Sequence, residues 1–275
     1  MSRGTTVWGV PLAPLTRQGA VDRVDQLIRA RVPSYFITAN LHYAMLTAEV
    51  AELDAINRDA AFVLADGAPL VVASRRTTNP VPERVAGSDL IYDLCQLAAS
   101  RGYGIFLLGG PPGIADEAAL RLTTRFPGLR IVGTACPGPA ELVEPQVDHL
   151  IGRIRAAQPD LLFVALGQPK GEFWLARHRE ALGVPVSAQV GATLEFVAGR
   201  VRRAPRLLQR LALEWAFRIY TDPRRLGPRY WKNARFLARQ ILRDRIGRAR
   251  RHLGGRGAAS AQPAEASTDS ARAIP

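Results

Sequence analysis

A short apolar run ends abruptly in an acid and a glycine where the chain reads Phe62-Val63-Leu64-Ala65-Asp66-Gly67. The run is too short for a helix, so it predicts a buried parallel strand that delivers a carboxylate at its carboxyl end. In open α/β sheets the ligand crevice lies outside the carboxyl ends of the strands. We therefore expect Asp66 to meet whatever is bound.

Three other apolar runs follow the same design and end in small or polar residues. They are Tyr35-Phe36-Ile37 before Thr38-Ala39-Asn40, Ile105-Phe106-Leu107-Leu108 before Gly109-Gly110, and Leu161-Leu162-Phe163-Val164-Ala165-Leu166 before Gly167-Gln168. The segments between them carry apolar residues at helical spacing, and this alternation predicts a parallel sheet covered by helices. The expected fold class is α/β, a Rossmann-like parallel sheet flanked by helices, with a catalytic domain over residues 1–199.

Two details of this prediction concern the first part of the chain. The residues from Thr5 to Leu12 are expected to form a single short strand. After Asn40, apolar residues as far as Ile56 predict one long helix, whose first turn offers free backbone N–H groups to an anion.

The net charge of +13 is concentrated towards the carboxyl end of the chain. Residues 199–253 contain sixteen arginines and one lysine against three acids, a net charge of +14, so the rest of the chain is about neutral. A localised charge of this size implies a polyanionic partner such as nucleic acid, an anionic membrane surface or a phosphorylated ligand.

The basic segment also has a helical apolar pattern. Its arginines alternate with Leu, Trp, Phe and Ile at helical spacing, which predicts an amphipathic helical appendage over residues 200–253. New helices are expected at Asp222-Pro223 and near Pro228. From Gly254 onwards, the Gly, Ala, Ser and Pro content predicts a disordered tail over residues 254–275.

Cysteine usage and the N-terminal residues indicate the compartment. The sequence contains only two cysteines, Cys95 and Cys136, and these do not form the pattern of a disulfide framework, which fits a reducing compartment. The stretch from Met1 to Thr6 lacks the basic start and apolar core of a signal peptide, and no apolar run approaches the roughly 18 residues of a membrane span. We expect a cytoplasmic protein whose attachment to a membrane is peripheral.

A glycine-rich turn, Gly109 to Gly113, follows the strand ending at Leu108 and precedes a helical pattern. Strand, glycine turn and helix make a unit that holds phosphate, although glycines after a strand can also serve only to permit a tight turn. The prolines within the turn depart from the dinucleotide fingerprint. Arg84 either meets the charge of a bound phosphate or pairs at the surface with Glu83 or Asp89.

No metal site is predicted. The sequence contains no Asp-x-Asp pair, and its four histidines, His42, His149, His178 and His252, show no ligand spacing. The charge of any phosphorylated ligand would then have to be met by arginine and backbone donors.

Several strand-end motifs occur together and in order along the chain. They are Thr38-Ala39-Asn40, Ala65-Asp66-Gly67, Glu83-Arg84-Val85-Ala86-Gly87-Ser88-Asp89, Leu108-Gly109-Gly110-Pro111-Pro112-Gly113, Leu166-Gly167-Gln168-Pro169-Lys170, Arg203-Ala204-Pro205, Leu213-Glu214-Trp215 and Asp222-Pro223-Arg224-Arg225-Leu226. Through them the sequence resembles the WecG/TagA/CpsF family of glycosyltransferases (glycosyltransferase family 26), over roughly Val7 to Leu242. One such motif is a weak signal, whereas this many in order is a strong one.

The resemblance implies a reaction and its partners. A sugar, N-acetylmannosamine or a related hexose, would pass from a UDP-sugar to a polyprenyl-diphosphate-linked saccharide, with inversion at the anomeric carbon and no required metal or other cofactor. The reaction would take place on the anionic inner face of the cytoplasmic membrane and serve cell-envelope polysaccharide, teichoic acid or exopolysaccharide synthesis. Nucleic acid is not an expected partner, and self-association is left open.

Carried over by position, the family's pocket residues are Thr38, Asn40, Asp66, Arg84 and Gln168, and the glycine turn, the other rim residues and the basic segment add further candidates. The catalytic set is Asp66, Thr38 and Gln168. Asp66 is the implied base, because an inverting transfer needs a group that takes the proton from the attacking hydroxyl. The substrate-binding set is Asn40, Arg84, Gly109, Gly110, Gly113, Lys170, Glu172 and Gly191. The set facing the acceptor diphosphate and the membrane is Arg203, Arg218, Arg225 and Arg229.

The sequence departs from the family's pattern at two places near the crevice. Gly171 stands where the family usually has Gln after the Lys of Pro-Lys, although Glu172 remains. The stretch Gly191-Ala192-Thr193-Leu194-Glu195 stands where the family usually reads Gly-Gly-x-Phe-Asp. Both departures bear on the identity of the sugar more than on the type of reaction.

Two other classes of protein share parts of these patterns. An NAD-dependent oxidoreductase also alternates strands and helices around a glycine turn. A nucleic-acid-binding protein could use arginine-rich helices to follow phosphates, but the apolar residues between the arginines suit a lipid headgroup interface better.

Overall fold

The computed structural model of the chain describes residues 4–201, residue 205 and residues 214–258, without the side chains of residues 214, 218, 225 and 247–258. The strands are β1 (Thr5–Val7), β2 (Val10–Leu12), β3 (Ser34–Ala39), β4 (Phe62–Ala65), β5 (Gly104–Gly109), β6 (Arg130–Ala135), β7 (Leu161–Ala165) and β8 (Val186–Gln189). The α-helices that cover them are α1 (Arg17–Ala30), α2 (Leu41–Glu49), α3 (Glu52–Asp59), α4 (Ala68–Ser74), α5 (Gly87–Arg101), α6 (Ile114–Arg125), α7 (Gln146–Ala156), α8 (Lys170–Leu182) and α9 (Thr193–Val197). The helices of the basic segment are α10 (Glu214–Thr221) and α11 (Pro223–Ala258).

Strands β3 to β8 form a six-stranded parallel sheet in the order β4-β3-β8-β7-β5-β6. Helices connect successive strands, so the predicted Rossmann-like α/β fold is confirmed. The strand order places β8, the last strand in sequence, between β3 and β7. Residues more than a hundred positions apart are thereby brought to the middle of the sheet.

The interior strands of the sheet are buried on both faces, as expected for parallel strands beneath helices. Every residue of the interior strands β5 and β8 is buried, as is every residue of the edge strand β4, and the rings of Phe36 and Phe62 stack on neighbouring strands with centroids 4.9 Å apart. Helix α1 begins where Thr16 Oγ1 accepts a hydrogen bond of 3.0 Å from the Gly19 N–H, and its buried Ala20, Val24 and Ile28 join this core.

The first part of the chain differs from the sequence prediction in two ways. The expected single strand is a hairpin, because Trp8 and Gly9 adopt positive φ angles of 51° and 87° and turn β1 back onto β2. The expected long helix after Asn40 is two helices, α2 and α3, because Val50 between them has an extended backbone.

From Pro223 onwards the basic segment forms one helix where two were predicted. Helix α11 continues through Pro228, since an internal proline removes only one backbone donor, and it extends past Gly254 to Ala258. Residues 259–275, most of the predicted tail, lie outside the described residues. The chain divides into two compact units, one ending at Asn233 and one beginning at Ala234. The predicted division at residue 199 stays a prediction.

Candidate active site

The carboxyl ends of the parallel strands fall in register, so that the residues following them form one rim. Ala39 at the end of β3 pairs with Ala65 at the end of β4. Gln189 at the end of β8 pairs with Ile37 of β3 and Val164 of β7. Polar residues placed after these strands therefore gather at a single edge of the sheet, where an α/β enzyme binds its ligand.

Asp66 follows β4 and is half-buried at this rim. Its backbone N–H donates to the Ala39 carbonyl at 2.8 Å, which extends the pairing of β3 with β4 by one residue. Its Oδ2 accepts a hydrogen bond of 3.3 Å from the N–H of Gly87, the first residue of α5. The sheet thus fixes the backbone of Asp66 and helix α5 orients its carboxylate, whose negative charge the N-terminus of the helix favours.

The other two residues of the predicted catalytic set lie next to this carboxylate. Thr38 is buried beneath Gly87, and a Cβ atom at Gly87 would lie only 3.2 Å from the Thr38 hydroxyl oxygen. The Nε2 of Gln168 donates to the Thr38 carbonyl at 3.4 Å. The structure therefore brings Asp66, Thr38 and Gln168 together, and their catalytic roles stay predictions.

Asn40 begins helix α2 beside the same carboxylate. Its Oδ1 accepts a hydrogen bond of 3.0 Å from the Tyr43 N–H, which caps the helix. A Cβ atom at Gly67 would lie 3.6 Å from the Asn40 Cα, so the two strand-end loops are in contact. Sequence reasoning gave Asn40 a role in binding substrate and missed the capping role, which the polar residue before an apolar helical pattern could have indicated.

Arg84 is half-buried next to the end of β4. The N–H of the following residue, Val85, donates to the Ala65 carbonyl at 2.9 Å, which places the Arg84 backbone beside Asp66. Glu83 accepts instead from the backbone N–H of Arg17, at 2.6 Å. The surface ion pair of Arg84 with Glu83 or Asp89, considered from the sequence, is absent from the described residues.

The glycine turn after β5 depends on backbone conformations that favour glycine. Gly109, Gly110 and Gly113 have φ angles of 102°, 81° and 81°. A Cβ atom at Gly109 would lie 2.7 Å from the Ala165 carbonyl oxygen, so the turn packs directly against the end of β7. Helix α6, which follows, carries Asp116 and Glu117 in its first turn, and these acids reduce the attraction of that N-terminus for an anion.

A cavity of about 350 Å³ opens at the carboxyl end of β6, next to the glycine turn. Thr134, Cys136, His149 and Arg153 are among the residues that line it. The Cys136 thiol lies 3.6 Å from the Gly109 carbonyl oxygen, which joins the cavity to the turn. Sequence reasoning missed this cavity, and the Cys-Pro-Gly sequence that follows β6 was its only sign.

Helix α8 brings two residues of the predicted substrate-binding set to the rim, and they have opposite environments. Lys170, its first residue, is exposed, whereas Glu172 is 1% exposed. Burial raises the pKa of Glu172 to about 7, although the backbone and the nearby Gln168 side chain offset part of the rise.

Gly191 follows β8 with a φ of 59° and donates its N–H to Gln189 Oε1 at 3.4 Å. Contact of these residues with a substrate stays a prediction.

The first turn of α2 contacts the start of α11. His42 Nδ1 lies 3.2 Å from Asn233 Oδ1, and Asn233 is buried. Burial, then the positive charge of Arg229, lowers the pKa of His42 to about 4, so the imidazole is neutral at pH 7. Arg229, one of the arginines predicted to face the acceptor diphosphate, is therefore close to the helix that Asn40 caps.

The three other arginines of the predicted acceptor set cannot be placed in this way. Arg218 and Arg225 lie on α10 and α11, but their side chains are outside the described part of the chain. Arg203 lies outside it altogether. Their roles stay predictions.

The described part of the chain offers neither a metal cluster nor a membrane span. No group of three or more His, Cys, Asp and Glu side chains among these residues is arranged to hold a metal ion. No helix within the same ranges is both long enough and apolar enough to span a bilayer.

A parallel sheet that presents a fixed carboxylate, an amide and a glycine turn along one rim defines an α/β enzyme with its ligand crevice at the strand ends. Residues 5–251 match the glycosyl transferase WecG/TagA/CpsF family, and the chain belongs to this family. It is therefore a glycosyltransferase, which confirms the resemblance read from the strand-end motifs and removes the oxidoreductase and nucleic-acid-binding alternatives as its class.

Curated relatives in this family carry a specific name. Over 196 residues, 70% of this chain and 74% of the relative, the sequence is 31% identical to the N-acetylglucosaminyldiphosphoundecaprenol N-acetyl-beta-D-mannosaminyltransferase of Staphylococcus aureus (strain NCTC 8325 / PS 47). It is 30% identical over 192 residues to the protein of the same name from Bacillus spizizenii (strain ATCC 23059 / NRRL B-14472 / W23), which covers 70% of this chain and 73% of that relative.

Proposed function

We propose that this glycosyltransferase moves an N-acetylmannosamine-type sugar or related hexose from a UDP-sugar to a polyprenyl-diphosphate-linked saccharide, with inversion at the anomeric carbon. The names of the relatives support the acceptor class, because those proteins act on an N-acetylglucosaminyl-diphospho-undecaprenol. The product would serve cell-envelope polysaccharide, teichoic acid or exopolysaccharide synthesis.

The observation that carries the proposal is the hydrogen bond between Asp66 Oδ2 and the Gly87 N–H at the end of β4. In an inverting transfer the acceptor hydroxyl attacks the anomeric carbon while the bond from that carbon to the UDP oxygen breaks. Asp66 would take the hydroxyl proton, and UDP would leave with the electron pair. Thr38 and Gln168, held against each other beside Asp66, would orient the sugar and the acceptor.

The donor would lie along the rim towards β6. The turn at Gly109, Gly110 and Gly113, in which the Gly110 N–H already donates to the Ala165 carbonyl, would meet the diphosphate charge through its remaining backbone donors and Arg84, without a metal ion. The neutral nucleoside would occupy the cavity beside Cys136, since the acids at the start of α6 disfavour a second anion there. Retention of activity in EDTA would support the metal-free donor site, and activity that EDTA removes and Mg²⁺ or Mn²⁺ restores would contradict it.

The acceptor would approach from the side of α2 and α11. Burial and then the positive charge of Arg229 lower the pKa of His42, so Arg229 lies near the first turn of α2. Arginine suits a diphosphate because its planar fork can bind two oxygens together. With Arg203, Arg218 and Arg225 it would hold the lipid diphosphate while the basic helices rest on the anionic inner face of the cytoplasmic membrane.

The proposal is tested by incubating the purified full chain with a panel of UDP-sugars and a short-chain polyprenyl-diphosphate saccharide. The expected result is one preferred UDP-sugar and a product with the opposite anomeric configuration, read by NMR of the new linkage. Transfer only from donors with another nucleotide, or with retained configuration, would contradict it. A comparison of thermal shifts with UDP and NAD gives an independent reading of nucleotide preference.

A further inference from the structure

Arg17, the first residue of helix α1, binds the start of helix α5 through its side chain. Its Nη2 donates to Asp93 Oδ1 at 2.6 Å and its Nε donates to Asp93 Oδ2, so the planar guanidinium contacts both carboxylate oxygens. The same Nη2 donates to the Asp89 carbonyl oxygen at 3.4 Å. One side chain therefore joins the first turn of α1 to the first two turns of α5.

The backbone of Arg17 holds the chain just before α5. Its N–H is one of the donors at a helix N-terminus that have no partner within the helix, and it donates to Glu83 Oε1 at 2.6 Å. The positive end of the helix dipole favours that carboxylate. Residues 84–88, which we call the α5 entry segment, thus lie between two residues, Glu83 and Asp89, that are both bonded to Arg17.

The α5 entry segment carries two groups of the candidate active site. Arg84 is its first residue, and Gly87 donates its N–H to Oδ2 of Asp66. Val85, between them, is 1% exposed and donates its N–H to the Ala65 carbonyl at 2.9 Å. A shift of this segment would therefore move the Gly87 N–H away from Asp66 and change the position of Arg84 at the rim.

The hydrogen bond from Gly87 to Asp66 is sensitive to such a shift. Its length of 3.3 Å is already beyond the usual range of about 2.7–3.2 Å, so a small further displacement would break it. Helix α1 is fixed by its own apolar face, whose Ala20 and Val24 lie in the core. The guanidinium of Arg17 consequently opposes movement of the start of α5 relative to a fixed helix.

The exposure of this ion pair separates a positioning role from a stabilising one. The side chains of Arg17 and Asp93 are 45% and 31% exposed. Ion pairs at such exposure contribute little to the free energy of unfolding. A purely structural role would therefore have small effects on both stability and activity, whereas a positioning role would lower activity with little loss of stability.

We propose that Arg17 is a positioning residue of the transferase, which fixes the α5 entry segment so that the Gly87 N–H and Arg84 keep their places at the crevice. Arg17 acts through Asp93, Asp89 and Glu83. The inference rests on the proposed function for the roles of Asp66 and Arg84.

The first test compares the kinetics and stability of Arg17→Ala with those of wild type. This variant removes the guanidinium and keeps the backbone bond to Glu83. Its kcat/KM for the UDP-sugar should fall about 10-fold, because a displacement of about 1 Å can cost up to 10²-fold, while its urea midpoint should stay close to wild type. Arg29→Ala, which removes an exposed ion pair with Asp25 in the last turn of α1, is the matched control and should change neither. Equal kcat/KM values for the two variants would overturn the proposal.

The partner residue provides a second variant that keeps the shape of the side chain. Asp93→Asn loses the charge and one of the two acceptor oxygens that Arg17 binds, so its kcat/KM should fall as in Arg17→Ala. The double variant should be no worse than either single one, because both changes break the same contact. Additive losses would overturn the proposed coupling, and Asp93→Asn tests it even if Arg17→Ala fails to fold.

A third measurement does not depend on transferase activity. Native-state hydrogen exchange, followed by NMR in the full chain without substrate, reports the Gly87 amide directly. Its exchange should be about 3- to 10-fold faster in Arg17→Ala and Asp93→Asn than in wild type, as for a local opening, with unchanged exchange in β5 inside the sheet. Unchanged exchange at Gly87 in both variants would overturn the proposal. Faster exchange together with absence of transfer from every UDP-sugar would contradict only the proposed function.

Discussion

The backbone N–H of Gly87 donates to Oδ2 of Asp66, and so the first residue of a helix holds the carboxylate that ends a strand. A side chain at Gly87 would press on Thr38, which explains why the helix can approach this closely. The carboxylate has a fixed direction before any ligand arrives. Its arrangement suits a group that must accept a proton at one defined point.

Replacing Asp66 by Asn should abolish transfer and leave UDP binding within a few-fold of wild type. The amide oxygen can still accept from the Gly87 N–H, but the amide cannot take a proton, and loss of a general base typically costs about 10²- to 10⁴-fold in rate. Initial rates and UDP titration calorimetry measure the two effects. Asp54→Asn, a change at an exposed acid paired with Arg58, is the matched control. Normal turnover by the Asp66→Asn variant would remove Asp66 from the mechanism.

Replacing Arg84 by Ala should weaken use of the UDP-sugar. Charge-assisted hydrogen bonds contribute about 1.5–3 kcal/mol, so we expect a 10- to 100-fold lower kcat/KM for the donor. Steady-state kinetics with varied donor concentration measure it. Arg58→Ala, which removes an exposed arginine from an ion pair with Asp54, should change little. Equal kinetics for the two variants would mean that Arg84 does not meet the donor.

Replacing Gly109 by Ala should destabilise the fold more than the same change at Gly183. Both glycines have positive φ, 102° and 64°, but only at Gly109 would the new methyl group meet a backbone carbonyl, that of Ala165 at 2.7 Å. The left-handed backbone costs about 1–2 kcal/mol in each case. Overpacking should add about 1–3 kcal/mol at Gly109 alone. Urea unfolding measures the difference, and equal losses would contradict the close contact of β5 with β7.

Removing four exposed arginines from α11 should release the protein from anionic liposomes. The variant carries Gln in place of Arg235, Arg239, Arg243 and Arg245. Each basic residue near an anionic surface contributes about 1 kcal/mol, so binding should weaken by roughly 100-fold or more. Cosedimentation at increasing salt measures it, and wild type itself should dissociate as salt rises.

The control for this experiment removes the same charge elsewhere. It carries Gln in place of four exposed arginines of the α/β part, Arg58, Arg101, Arg155 and Arg177. If both variants lose binding equally, net charge is responsible and the basic helices have no special role.

Much of the site could be read from the sequence because its residues follow apolar strands directly. Asp66 and the turn at Gly109 are examples, since the end of a buried parallel strand fixes where the next residue lies. The bond from Gln168 to Thr38 could not be read. It depends on β8 inserting between β3 and β7, and no local pattern encodes strand order.

Other features escaped prediction for different physical reasons. An acid in the first turn of a helix ordinarily faces water and complements the helix dipole, so nothing local distinguishes Glu172 from an exposed residue. The contact of His42 with Asn233 joins residues 191 positions apart. The continuous helix through Pro228 was not predicted, because a proline usually indicates the end of a helix. This helix instead tolerates the loss of one backbone hydrogen-bond donor.

The absence of a side chain at residue 171 has a consequence for comparison among relatives. Where this chain has Gly171, the family usually carries Gln, and a Cβ atom here would overlap the Gln189 amide. A side chain at residue 171 requires the amide end of the Gln189 side chain to move or to be replaced. Exchanging Gly171 for the family's Gln should therefore reorient Gln189, which also accepts from the Gly191 N–H at the rim.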